Sequence, residues 1–175
     1  MAMTLLADNT ADTTDLTSVA FTSGIDSTYK LYIFKFININ PATNNTHFTF
    51  QIGSGYNTTM TTTFFNAYHA EAGGSGVLAY DAGHDQAQGT AYQTIGMQLG
   101  NLSDESGSGE LNLFAPSSTT YVKHFYSRFQ QQLHSEYSFD EFMAGYGDTT
   151  SAITQIDFKM SSGNFDGIIK MYGVG

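Results

Sequence analysis

The nine residues Tyr29-Lys30-Leu31-Tyr32-Ile33-Phe34-Lys35-Phe36-Ile37 combine β-branched and aromatic side chains and contain no glycine or proline. Such a run is a strand. It is apolar on both faces, so it belongs in the centre of a sheet, with one face in the core and the other covered by an arm or a neighbouring subunit. Pro41 ends it. The run His47 to Ile52 alternates, sending Phe48, Phe50 and Ile52 inward and His47, Thr49 and Gln51 outward.

Further strands are expected over Leu16 to Phe21, Ala91 to Leu99, Glu110 to Phe114 and Tyr121 to Phe129, with a less regular segment over Ser135 to Tyr146. Ala152 to Met160 alternates as well, placing Ile156, Phe158 and Met160 on one face, and Ser161-Ser162-Gly163-Asn164 turns it into Gly167 to Gly173. From Gly53 to Gly89 the chain is rich in Gly, Ser, Thr and Asn, interrupted by Thr61 to Glu71 and Val77 to Tyr80. Long irregular connections that carry contacts are expected there. Residues 1–15 lack periodicity and form an arm that frays or docks on a neighbour. Eight or so short strands, Gly-rich turns and no helical period predict an all-β fold. Its form is a jelly-roll-like antiparallel β-sandwich with a short extended N-terminal arm, residues 16–175 forming the single sandwich domain.

With 175 residues and no cysteine, the chain must rely on packing and hydrogen bonding. Sixteen acidic against six basic residues give a formal charge of −10, and the basic residues are scattered. Nucleic acid, which selects clustered Lys and Arg, is not an expected partner. The opening Met1-Ala2-Met3-Thr4-Leu5-Leu6 has neither a positive residue nor a long apolar run, so no Sec-type leader and no membrane insertion are expected.

Chemistry-bearing motifs fall short one by one. Glu136, Asp140 and Glu141 are the only clustered carboxylates suited to glycoside hydrolysis, without an E-x-D-x-x-E strand. Asp104 to Gly109 resembles the start of a calcium loop, but its twelfth position is Ala115. Asp81, His84 and Asp85 could ligate a divalent ion if their loop curled; a loop with Gly and Asp turns without one. His47, His69, His124 and His134 are isolated in sequence, and Ser54, Ser75 and Ser108 complete no G-x-S-x-G motif. Tyr56, Tyr68, Tyr80 and Tyr92 could stack on sugar rings, although aromatic residues at strand spacing are commonly core. No catalytic, cofactor-binding or metal-ligating residue is expected, and no cofactor; the chain is not expected to be an enzyme.

Two segments, Gly24-Ile25-Asp26-Ser27-Thr28-Tyr29 through Phe36-Ile37-Asn38-Ile39-Asn40-Pro41-Ala42-Thr43 and the ending Gly167-Ile168-Ile169-Lys170-Met171-Tyr172-Gly173-Val174, resemble small bacteriophage virion structural proteins, particularly of marine phages. Many of these end in a Gly-x-x-x-Leu-Tyr-Gly-Ile-like strand; Met171 and Val174 stand here for Leu and Ile. The resemblance implies a virion protein made in the host cytoplasm: a capsid decoration (cement or head-fibre) protein, or else a tail or fibre component that binds a host receptor or glycan. Its expected partners are the major capsid protein or other virion proteins, a host surface glycan under the second reading, and copies of itself, a homotrimer being favoured.

Overall fold

The structure is a computed structural model that describes residues 2–74 and 76–175; Met1 of the arm and Ser75 lie outside the described residues. Twelve antiparallel strands and no helix occur among the described residues: β1 (Met3–Asp8), β2 (Val19–Phe21), β3 (Leu31–Pro41), β4 (Thr46–Ile52), β5 (Met60–Ala70), β6 (Val77–Tyr80), β7 (Gln93–Leu99), β8 (Gly107–Phe114), β9 (Lys123–Leu133), β10 (Tyr137–Gly147), β11 (Ile156–Met160) and β12 (Phe165–Val174). No helix of the described residues is long and apolar enough to cross a membrane.

Set aside β5, β6, β9 and β10, and the remaining eight strands pair as β1-β12-β3-β8 and β2-β11-β4-β7. In chain order these are strands 1-8-3-6 and 2-7-4-5, the jelly-roll arrangement of two interleaved Greek keys. The other four strands extend the first sheet to β1-β12-β3-β8-β9-β10-β5-β6. The second sheet stays four strands wide. A single pairing, Leu99 with Leu133, links the two sheets along the ladder.

Between the sheets lies a phenylalanine core. Phe158 of β11 meets Phe34 and Phe36 of β3 at 5.3 and 5.2 Å between centroids, and also meets Phe21, Phe48 and Phe50. The inward assignment of Phe48, Phe50, Ile52, Ile156, Phe158 and Met160 holds, all being buried.

Thr49 and Gln51 depart from expectation. Both are buried: Thr49 Oγ1 donates to Lys159 O at 2.8 Å, and the chain around residues 58 and 90 folds over Gln51. There Gln51 Nε2 donates to the carbonyls of Thr58, Thr90 and Ala91 at 3.0 to 3.1 Å.

The segment Gly53 to Gly89 is also more ordered than its composition suggests, since it contains the eleven-residue β5 and the short β6. Ser135 to Tyr146 resolves into β10, paired along its whole length with both β5 and β9.

The N-terminal arm docks on its own chain. Met3–Asp8 adds an edge strand to β12, and Asn9 holds it there, accepting from Ile169 N at 2.6 Å and donating to Gly167 O at 3.0 Å. Both glycines of the C-terminal motif have steric reasons. Gly167 sits at a bulge with φ +143°, where a side chain would press on Ile39. Gly173 lies under the Tyr29 ring, which would be 2.3 Å from an added Cβ.

Candidate functional site

Strand alternation decides most of the candidate sites. Asp140 and Glu141 are neighbours on β10 and therefore point to opposite faces. Asp140 faces outward in a two-pronged pair with Arg128, 3.0 Å to Nε and 2.7 Å to Nη2, while Glu141 is fully buried. Glu136 stands in the β9–β10 turn with φ +64°. These carboxylates do not flank a common cleft, so the geometry of glycoside hydrolysis is not assembled from them.

Asp104 to Gly109 does not form a ligand loop. Glu105 is buried and accepts from Leu102 N at 2.8 Å, and Gly107 begins β8. Of Asp81, His84 and Asp85, the first two meet and the third is drawn to another partner. Asp81 Oδ1 lies 3.1 Å from His84 Nδ1, whereas Asp85 accepts from the Tyr80 hydroxyl. His84 is also brought to His47 of β4, with ring centroids 5.0 Å apart. Burial holds the His47 imidazole below the usual range, His84 adding to the lowering and Asp81 opposing it. Among the described residues, no three His, Cys, Asp or Glu side chains converge as a metal site. Ser54 sits in a turn, and Ser108 Oγ accepts from Asn38 N at 3.0 Å.

The four candidate tyrosines also separate. Tyr68 stacks on Phe139 at 4.7 Å against the core. Tyr92 donates to the buried Asp157 at 2.8 Å while Lys159 Nζ lies 4.0 Å from its ring. Its phenol is pushed up first by burial and then by that carboxylate. Tyr56 is half-buried nearby, and only Tyr80 is well exposed, at 57%.

Tyr80 leads to the most distinctive surface, the outer face of the eight-stranded sheet. Cross-strand partners share a face, so the register Tyr80–Phe65–Phe142–Arg128–Glu110–Lys35–Lys170–Asp8 draws one row across all eight strands. Phe65 and Phe142 stack at 4.9 Å and 4°, and Arg128 lies 5.1 Å from the Phe142 ring. The next row, Thr63–Ala144–Tyr126–Asn112–Ile33–Tyr172–Leu5, runs beside it.

Around Ala144 and Gly145 the face dips into a trough of about 410 Å³ walled by Phe114, His124, Tyr126 and Tyr146. Among the described residues, seven of the ten exposed large apolar side chains (Met3, Leu5, Ile37, Phe65, Leu78, Tyr80 and Tyr126) lie on this one face. Their concentration marks an interaction surface, because scattered single exposures would need no explanation.

Sequence reasoning did not single out Phe65, Phe142, Tyr126 or Phe114. One signal was available: in the adjacent pair Phe64-Phe65 of a strand, one ring must point outward. The chain matches no protein-family model, no curated protein and no solved structure.

Proposed function

We propose that this chain is a non-enzymatic structural protein of a bacteriophage virion, a capsid decoration protein of the cement or head-fibre kind. The observation that carries this reading is the outer face of the large sheet. It is broad, shallow and lined with exposed aromatic and aliphatic side chains, a shape suited to covering by protein and unlike a substrate cleft. Support also comes from the two segments that resemble virion proteins: they form β3 and β12, neighbours beside the β1 edge of that sheet. Such a protein is made in the host cytoplasm and carried on the particle beside the major capsid protein.

Labelling the protein on intact particles tests the reading. Label spread over the heads is the expected result, and particles that carry none of the protein would overturn it.

A second reading, a tail or fibre component that binds a host glycan, is favoured by the stacked Phe65–Phe142 pair next to Tyr80. Flat, exposed rings of this kind stack on sugar rings. It predicts label at the tail and weaker adsorption for Tyr80→Ala.

A further inference from the structure

We infer that the outer face of the eight-stranded sheet is covered by a second copy of this chain, a step that rests on the reading of that face as protein-covered. Two observations select this occupant.

The first is charge. Any second copy brings a formal −10 to meet −10. The charged set around the polar row of this face, however, is Asp8, Glu110 and, two residues before Phe142 on the same face, Asp140, against Lys35, Arg128 and Lys170. It sums to zero, and its partners already neutralise one another. Lys35 pairs with Glu110, and Arg128 grips Asp140 with two hydrogen bonds. Most of the formal charge therefore resides elsewhere, in loops such as those of Asp12, Asp26, Asp104 and Glu136. With screening over roughly 8 Å at physiological salt, two copies can meet on this face without their excess charge opposing it. A strongly basic partner would gain nothing from a neutral row, whereas an acidic one, and this chain is acidic, gains from the absence of repulsion.

The second is area. Eight strands about 4.8 Å apart span about 34 Å, and their mean length of about nine residues at about 3.3 Å each runs about 30 Å, giving a face of about 1,000 Å². A stable interface takes about 800 Å² from each partner. The face exceeds that, and Leu78 at 74% exposed and the trough around Ala144 provide a projection and a recess for a self-complementary fit.

Sedimentation equilibrium of the purified protein from 1 to 100 μM in 0.15 M NaCl tests the inference in the absence of any particle. The expected mass is that of two copies, because a self-complementary face closes on a two-fold axis. Phe65→Glu and Tyr126→Glu, both at side chains exposed in the single chain, should raise the dissociation constant at least 100-fold. Leu102→Glu, 62% exposed in the β7–β8 loop and in neither row of the face, should leave it unchanged.

Because the chain has no cysteine, Ala144→Cys supplies an independent measurement that needs no disruptive substitution. The introduced thiol should react with a maleimide at least tenfold more slowly in the assembled protein than in the diluted one. A single-copy mass at 100 μM, or assembly that survives both Glu variants with the introduced thiol fully reactive, would overturn the inference. A single-copy protein that still labels phage heads would leave the decoration reading standing and refute only self-association.

Discussion

Glu141 is the residue whose environment is least like water. It projects inward from β10 opposite Asn66 of β5, and its Oε1 accepts from Met97 N at 2.8 Å. Gln131 of β9 donates to Met97 O. Between them, these two side chains supply the hydrogen bonds that a neighbouring strand would give β7, which meets β9 directly only at Leu99. Glu141 Oε2, Asn66 Oδ1 and Gln131 Oε1 find no donor among the described residues.

A protonated carboxyl brings the missing donor, and burial raises the Glu141 pKa well above the usual carboxylate value, against the smaller lowering from the Met97 N–H. The folded state thus holds this proton to higher pH than the unfolded chain. Its contribution is complete below the unfolded value near 4.5 and is lost as pH rises from there towards the folded pKa. Glu141→Gln keeps the acceptor and adds a permanent donor. Thermal melts should place the variant above the parent by roughly 3 to 8 °C at pH 8, with the gap closing towards pH 4. A gap of the same size at both pH values would refute a titrating Glu141.

At the scale of elements, glycines set how closely strands approach the core. Gly107 opens β8 directly over the Phe129 ring, and a Cβ there would sit 2.3 Å from two of its ring carbons. Gly107→Ala therefore overpacks a buried, rigid ring and should cost about 1 to 3 kcal/mol by urea titration. Gly76→Ala, with nothing closer than 3.7 Å, should be near neutral. Equal costs for the two would show that the ring yields.

The same stretch shows what could be read from the chain alone. Asp104 to Gly109 resembled a calcium loop because oxygen ligands and glycines share turn chemistry, and spacing does not reveal that Gly107 and Gly109 are there for Phe129. Of the strands that bury apolar faces, β4 and β11 were legible from their alternation and β3 from its unbroken run of β-branched and aromatic residues. The inserted β5 was not, because its inner face carries Thr62 and Asn66. Thr62 is buried against a side-chain acceptor, its Oγ1 donating to Gln93 Oε1 at 2.8 Å. Where burial is made tolerable by hydrogen bonds, hydrophobic periodicity is silent. The aromatic face was hidden for a related reason: Phe65, Tyr126 and Phe142 become one surface only once the register of β5, β9 and β10 is known.

For the whole molecule, the question is whether the large sheet, with its inserted strands, and the four-stranded sheet form one cooperative unit. The ladder between them is a single residue pair, so cohesion must come from side chains packed between the layers. Phe158 is the centre of that packing. It lies on β11 of the small sheet, is fully buried, and touches Phe34 and Phe36 of the large sheet as well as Phe48 and Phe50 of its own. Truncation to alanine removes ring contacts to both layers at once and leaves a cavity that five neighbouring rings cannot all collapse into. The expected cost is about 3 to 5 kcal/mol. At about 2 to 4 °C per kcal/mol for a chain of this size, Phe158→Ala should melt on the order of 10 °C lower. Far-ultraviolet dichroism reports the strands of both sheets, and near-ultraviolet dichroism the tyrosines, which lie on the large sheet and in the loops. If Phe158 couples the layers into one unit, the two signals will fall together in parent and variant alike. Two separated transitions in the parent would mean that the sheets are stable independently and that the phenylalanine core only holds them in contact.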